Sequence, residues 1–508
     1  MTATMTFWKS LRKGARINES ADNRLYIYIF AFLAMLLGIS YWSAQKTRHG
    51  TGDAVTEHFL GGKNTPFFVL AMSYCASFAS AGSFMGDPAI VSYVGYPYLW
   101  FGVFLVPGCV LVSLFIIRKM RLQCEKLGVA TPIEYIAVRY DSKFLRVFLA
   151  LVIAGCFTMT TISQTKAAAI LLNHFTGLNF NVSIIIIAVA ILVCTVSGGL
   201  RSVAWTDTIQ GCFMVVLCVI LISTGLSKAG GFNGVDAALA NYDPKMLQPA
   251  EDGLFANYGW LGIIGYGLWS ILIQPAQPYL TSRYMGMKDV TKKTVGKFCL
   301  IALFASLLFC SMPICGLTGR VLYPDAEPDY IVVTLATGVL HPLLSCGIML
   351  GLFSAIISTA TSMLLVVGQS IGRDILVTFK PETDFKTQVN VSNIVCVIVM
   401  AFAVGFNLFN APPIFQFFNL IGQTGVGAAC CMPLYCGVLW KKATKEGAIA
   451  ASIVGIFITI LFNNIPSIGF GVAMGAPLLF SVPTYFLVSW FVNATKGRNE
   501  KIEALGEI

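Results

Sequence analysis

Apolar runs recur along nearly the whole of this 508-residue chain, and a run of about 20 residues is what an α-helix needs to cross the hydrocarbon core of a bilayer. In lipid every backbone amide and carbonyl must be satisfied internally, so such runs fold as helices and pack as a bundle. Hydropathy windows place spans near 25–44, 65–86, 97–117, 147–172, 182–199 and 207–227. Seven more fall near 259–280, 298–319, 343–372, 389–410, 412–440, 446–463 and 471–494. The expected fold class is an all-α polytopic membrane protein of about thirteen transmembrane helices. Charged residues make up only 11% of the chain, against roughly 25% in a soluble domain.

The first 24 residues are basic and polar, and the apolar stretch from Leu25 to Ala44 is too long for a signal-peptide core. It reads as a leading helix. With the N-terminus outside, the inner connections hold 25 of the 34 Lys and Arg residues, and the outer ones hold Lys228, Lys245 and Arg320. Lys166 lies inside a span and five basic residues sit in the tail, which runs locally against the trend. Positive charge is retained on the cytoplasmic side, so the expectation is a multi-pass plasma-membrane protein with its C-terminus cytoplasmic.

That distribution also excludes nucleic acid as a partner, because the net charge of +10 decorates inner loops and forms no folded basic domain. The 15 cysteines are scattered through apolar spans without a CxxC pair, and His49, His58, His174 and His341 are dispersed. No nucleophile–base pair, metal motif or cofactor loop points to an enzyme, and no repeated filter motif points to a channel. About 14 residues follow the last span, leaving no room there for a signalling domain. No obligate protein partner is implied.

A polar connection near 228–258, rich in Gly, Asp and Asn, separates five spans from the next five. Two odd-numbered halves enter the membrane from opposite sides, as an inverted-repeat transporter requires. The organisation reads as a tail (1–24), a leading helix (25–44), a first five-helix repeat (65–228), a second (257–440), and two trailing helices with a short cytoplasmic tail (446–508).

Three segments carry chemistry suited to a cation. The second span contains CASFASAGSFMGDP, Cys75 to Pro88, where Gly82, Gly86 and Pro88 weaken the helical ladder. A break there would turn freed carbonyls toward an ion, although small residues also serve close helix packing. The ninth span contains AIISTATS, with hydroxyls at Ser358, Thr359, Thr361 and Ser362 within two turns. The sixth opens with TDTIQ, placing Asp207 inside the hydrophobic boundary, where a carboxylate is costly unless it works.

Together with these segments, GGLRSVAWTDTIQ (Gly198 to Gln210), FLGGKN (Phe59 to Asn64) and GVLWKKATKEGAIAA (Gly437 to Ala451) resemble motifs of the sodium/solute symporter family, in order and over nearly the whole chain. The resemblance, which touches the pantothenate, proline and monocarboxylate branches, implies a leucine-transporter-like core of two inverted five-helix repeats. It implies sodium as the coupling ion, one or two per cycle. Motif position assigns a first sodium site to the carbonyls of Ala76, Ala79 and Ala355 and the hydroxyls of Ser358 and Thr359. A second sodium site would use Asp207, Ser358, Thr361 and Ser362.

The substrate is less legible. The seventh span carries Gly262, Gly265, Gly267, Pro275 and Pro278, a density that marks a second broken helix. Its end, QPYLTSRYMG, resembles the proline carriers, yet their Trp and Tyr contacts fall on Ser270 and Gln274 here, with Trp269 one place off. GRVLYPDAEPDYIVVTL, Gly319 to Leu335, is instead similar to the pantothenate branch. Lys166, with Gln164 close by, and Asp87, beyond Gly82 in the second span, either pair with each other or receive substrate charges. The expectation is import of a small organic acid, monocarboxylate or pantothenate-like, with a proline-like amino acid as the alternative. A proton-coupled carrier or a membrane sensor are the rivals from other classes.

Overall fold

The computed structural model describes residues 65–196, 199–253, 256–410 and 415–496, with Ala31, Ala34, Met35 and Gly38 as isolated helical positions. The tail 1–24, most of the leading helix 25–44, the FLGGKN stretch and residues 497–508 lie outside the described residues. Among the described residues nine helices are long and apolar enough to cross a membrane, with a tenth if one bent pair counts as a span.

The bent pair is α1 (Phe67–Phe78) and α2 (Asp87–Val94), joined through a π-helical turn at Gly82–Gly86 and angled by 49°. α3 (Leu99–Leu127) returns, and α4 (Pro132–Arg139) is a short helix capped by Thr131, whose hydroxyl accepts the Glu134 amide at 2.9 Å. That bond satisfies one of the orphan donors of a helix start. α5 (Lys143–Thr176) ends at Gly177, whose φ of +69° suits the left-handed residue that closes a helix. α6 (Phe180–Val196) and α7 (Gly199–Lys228) complete the first half. The polar connection expected near 228–258 contains a helix of its own, α8 (Gly231–Tyr242).

The second half opens with α9 (Trp260–Leu268), a π turn at Trp269–Ile273 and a 3₁₀ turn at Gln274–Ala276. The extended backbone of Gln277, ψ 131°, then breaks the span before α10 (Pro278–Met285). Proline lacks the amide that would continue the ladder, so it suits the first position of the restarted helix. α11 (Lys292–Phe309), α12 (Ile314–Leu322), α13 (Ile331–Val339), α14 (Pro342–Gln369), α15 (Phe385–Asn410) and α16 (Phe415–Leu439) follow, then the trailing α17 (Lys445–Asn463) and α18 (Phe470–Lys496).

Packing repeats itself between the halves. α1 lies on α10, α3 on α11, α5 on α14 and α6 on α15, so four elements of the first half meet their counterparts in the second. α7 packs on α1 and α14, while α16 packs on the 269–276 turns and on α5. α14 is the centre, 94% buried along its apolar window, whereas α15 is 22% buried. Outward faces carry Leu300, Phe402 and Trp490, all more than half exposed, while Asp207, Gln164 and Arg139 are fully buried. A surface more apolar than its interior is what a bilayer solvent selects.

Candidate cation and substrate site

α1 stops at Ala79, whose backbone turns extended at ψ 90° while its amide bonds Cys75 O at 2.9 Å. The last carbonyls of a helix have no partner of their own within it. Two hydroxyls of α14 meet them. Ser358 Oγ donates to Ala76 O at 3.1 Å and to Ala355 O at 3.0 Å. Thr359 Oγ1 donates to Ser77 O at 3.0 Å and Ala355 O at 3.1 Å. Of the residues assigned to a first sodium site, Ala76, Ala355, Ser358 and Thr359 therefore share one buried knot, and Ala79 terminates the helix beside it. Carbonyls and hydroxyls are the uncharged hard oxygens that an alkali cation takes in broken-helix carriers, so the donor set fits sodium.

The residues assigned to a second site divide differently. Asp207 Oδ2 accepts from Ser73 Oγ at 2.7 Å and Ser77 Oγ at 3.0 Å, both on α1. Ser362 joins through Ser77, 3.3 Å away. Thr361 instead bonds back to Ile357 O and Ser358 O, at 2.8 and 3.1 Å, and Ser358 belongs to the first knot. The reason is helical geometry: Ser358 and Ser362 are one turn apart and share a face, and Thr361 bonds to its own backbone. At the heart of the group lies Arg283 of α10. Its Nη2 is 3.2 Å from Asp207 Oδ2 and donates at 2.7 Å to both Ser77 Oγ and Ser362 Oγ. Counted in the sequence with an inner connection, Arg283 is fully buried instead. The clue was a lone arginine closing a short helix just beyond a proline break.

A third group lines a small cavity between α2, the 269–274 turn and α16. Asp87, Trp269 and Gln274 face it together with Ser80, Ser83, Phe101, Gln416, Asn419 and Gln423. Asp87 Oδ1 accepts from Tyr98 OH and from Gln416 Nε2, both at 2.7 Å, and no described residue donates to Oδ2. Amides then pass the polarity onward. Asn419 Nδ2 donates to Gln416 Oε1 at 3.1 Å, while Gln423 and Gln164 donate to Asn419 Oδ1 at 2.9 and 3.3 Å. Gln164 also accepts the Ala81 amide, capping the restarted helix at 3.3 Å. Trp269 Nε1 is held by Thr424 Oγ1 at 2.8 Å, and the buried Ser270 Oγ and Gln274 Oε1 have no partner among the described residues. Gly82 belongs here because a Cβ on it would come within 2.7 Å of both Gln416 and Asn419. Sequence reading missed the three α16 amides, although Gln416, Asn419 and Gln423 recur at helical spacing in an apolar span.

Lys166 is not part of this cavity. Its Nζ sits 3.0 Å from Asp329 Oδ2 in a separate pocket with Glu327 and Tyr330, so of the alternatives left open for Lys166 the pair with Asp87 is not formed, its partner coming instead from the connection after α12. The consequence is an asymmetry of charge. Among the described buried carboxylates, Glu134 meets Arg146 and Arg373 at 3.1 Å, Asp374 meets Arg146 at 3.2 Å, Asp207 meets Arg283 and Asp329 meets Lys166. Asp87 alone has no basic partner among the described residues, with 3% of its surface exposed. A buried carboxylate without a counter-charge is expensive, which makes Asp87 a candidate functional residue.

A model described as the sodium:solute symporter family matches residues 58–455. The chain is 27% identical over 453 residues to a sodium/pantothenate symporter of Escherichia coli (strain K12), covering 87% of this chain and 91% of that one. It is 24% identical over 472 residues to a sodium/proline symporter of Staphylococcus aureus, covering 89% and 88%. A solved Na+-coupled sialic acid symporter in its substrate-bound outward-open state superposes with a TM-score of 0.74 at 18% identity, over 92% of this chain and 97% of that one. Mhp1, a nucleobase-cation-symport-1 family transporter solved in a closed conformation, reaches a TM-score of 0.54 at 13% identity, over 90% and 100%. These superpositions show the leucine-transporter-like fold.

Proposed function

Because this chain belongs to the sodium:solute symporter family, we propose that it imports a small zwitterionic solute of amino-acid type together with sodium. The knot of Ala76, Ala79, Ala355, Ser358 and Thr359 receives the ion, tying broken α1 to the central α14. A cation bound there strengthens the contact between two helices that alternating access must move apart, so ion occupancy biases the bundle toward one state. The membrane potential adds roughly 2.3 kcal/mol per charge per 100 mV to inward movement of the ion. The proposed orientation has the N-terminus outside, as the Lys and Arg distribution favours.

The observation that carries the substrate reading is Asp87, which lines a cavity without a basic residue and whose Oδ2 has no donor among the described residues. A substrate ammonium supplies the missing charge, and the amides of Gln416, Asn419 and Gln423 offer N–H donors for a carboxylate. Trp269 closes one wall with an aromatic surface. Capture of an organic anion by Lys166 loses ground, because that ammonium is already bound to Asp329. A second reading, a monocarboxylate or pantothenate-like acid held by the amides alone, is favoured by the likeness to a relative named for pantothenate.

Liposome reconstitution under an inward sodium gradient, with labelled amino acids, monocarboxylates and pantothenate, tests the proposal. The expected outcome is accumulation of an amino acid that collapses when the sodium gradient is removed. Accumulation of acids alone would replace it with the second reading, and uptake following a pH gradient without sodium would establish proton coupling.

A further inference from the structure

Arg283 stands where a second coupling ion would be expected. Its Nη2 is surrounded by three oxygens, from Asp207, Ser77 and Ser362, at 3.2, 2.7 and 2.7 Å. Its Nε donates to Ser73 Oγ at 3.2 Å, and Nη1 donates to the carbonyl of Tyr279 one turn earlier on the same helix. Both serine hydroxyls of α1 donate to Asp207, so their lone pairs remain for the guanidinium. The charge of the network sums to zero and both charged residues are buried to within 1% of their surface, with every bond to Asp207 on Oδ2 and Oδ1 left without a donor among the described residues.

A sodium ion added to this group would put two positive charges against one carboxylate in a water-poor interior, where like charges repel strongly. It would also compete for Ser77 Oγ, Ser362 Oγ and Asp207 Oδ2, three oxygens already committed to a planar, five-donor cation. Arginine cannot give up its charge in ordinary conditions, so the group is permanently filled.

We propose that the Arg283 guanidinium is a tethered cation occupying the Asp207 site, so that this carrier binds one sodium ion where an Asp207 site without arginine would bind a second. The proposal rests on the sodium-symport reading and deepens it. It also gives Arg283 a structural consequence: the guanidinium joins α10 to α1, α7 and α14, so both broken spans are tied at one charge pair.

The test is equilibrium binding of radiolabelled sodium to purified full-length protein, counted per chain. Wild type is expected to bind one ion with a hyperbolic isotherm. Arg283→Gln is expected to bind two, and the double variant Arg283→Gln with Asp207→Asn to return to one. Arg283→Lys, which keeps the charge, is expected to stay at one and guards against a Gln variant that fails to fold. Two ions in wild type or in the Lys variant, or one in a folded Gln variant, would overturn the proposal alone. No sodium bound by wild type would overturn the symport reading, and the proposal with it.

Discussion

Asp87 and Asp207 are both carboxylates buried in the helical bundle, each on or beside an element of the broken first span, and they are treated in opposite ways. Asp207 takes two serines and a guanidinium on Oδ2, which answer its charge although Oδ1 has no donor among the described residues. Asp87 is held by a phenol and an amide, both on Oδ1, and faces a cavity. Neutral hydrogen bonds orient a carboxylate without cancelling its charge. Self-neutralisation therefore makes Asp207 a structural joint, while in the proposed mechanism Asp87 awaits a cationic group of the substrate. The knot at Ser358, proposed to receive the ion, carries no formal charge, which suits an ion that must leave again on every cycle.

The largest effect expected from breaking this contrast is at Asp207. Replacing it with Asn strands a buried arginine, and uncompensated buried charges typically cost about 3–5 kcal/mol. Thermal unfolding in detergent should show that loss, and adding Arg283→Gln should recover most of it. Additive losses in the double variant would mean that the pair is not a unit. Asp87→Asn should do the reverse: stability unchanged or improved, with substrate affinity reduced by roughly 100-fold, about the worth of a desolvated charge pair. If Asp87→Asn unfolds the protein as Asp207→Asn does, the distinction between joint and receptor fails.

Ser358→Ala removes a hydroxyl from the uncharged knot. A hydrogen-bonding partner of a charged group is worth about 1.5–3 kcal/mol, so sodium affinity should fall roughly 10- to 100-fold with little change in unfolding temperature. Sodium titrations of the variant measure this, and wild-type affinity would remove Ser358 from the ion site. The smallest effect on substrate affinity belongs to Lys166→Gln. The Lys166–Asp329 pair is buried, so its loss is expected to cost stability by stranding Asp329 but not to touch the Asp87 cavity. Uptake should persist with substrate affinity intact; a large loss of affinity would return Lys166 to the substrate site.

Much of the fold was legible because hydropathy and helix-breaking residues act locally. The weak segment at Gly82–Pro88 lies directly after the first break and the run Pro275–Pro278 at the second, and two of the four hydroxyls of α14, Ser358 and Thr359, meet the carbonyls at the end of α1. The α16 amides were overlooked because Gln and Asn in a membrane helix carry no charge to draw attention, although their spacing puts them on one face. Arg283 was assigned to a loop because the restarted helix α10 is only eight residues long, too short for a hydropathy window to register.

Hydropathy by itself determined that the chain forms a bundle of membrane-spanning helices, since such runs satisfy their backbone groups in lipid only as helices. It also located the carboxylates that needed an explanation. Which cation answers which carboxylate was decided only by the tertiary structure. Arg283 and Asp207 are 76 residues apart, and Lys166 and Asp329 are 163 apart. Coulomb energy depends on distance in space and on the polarity between the charges, and neither is written in the order of the residues.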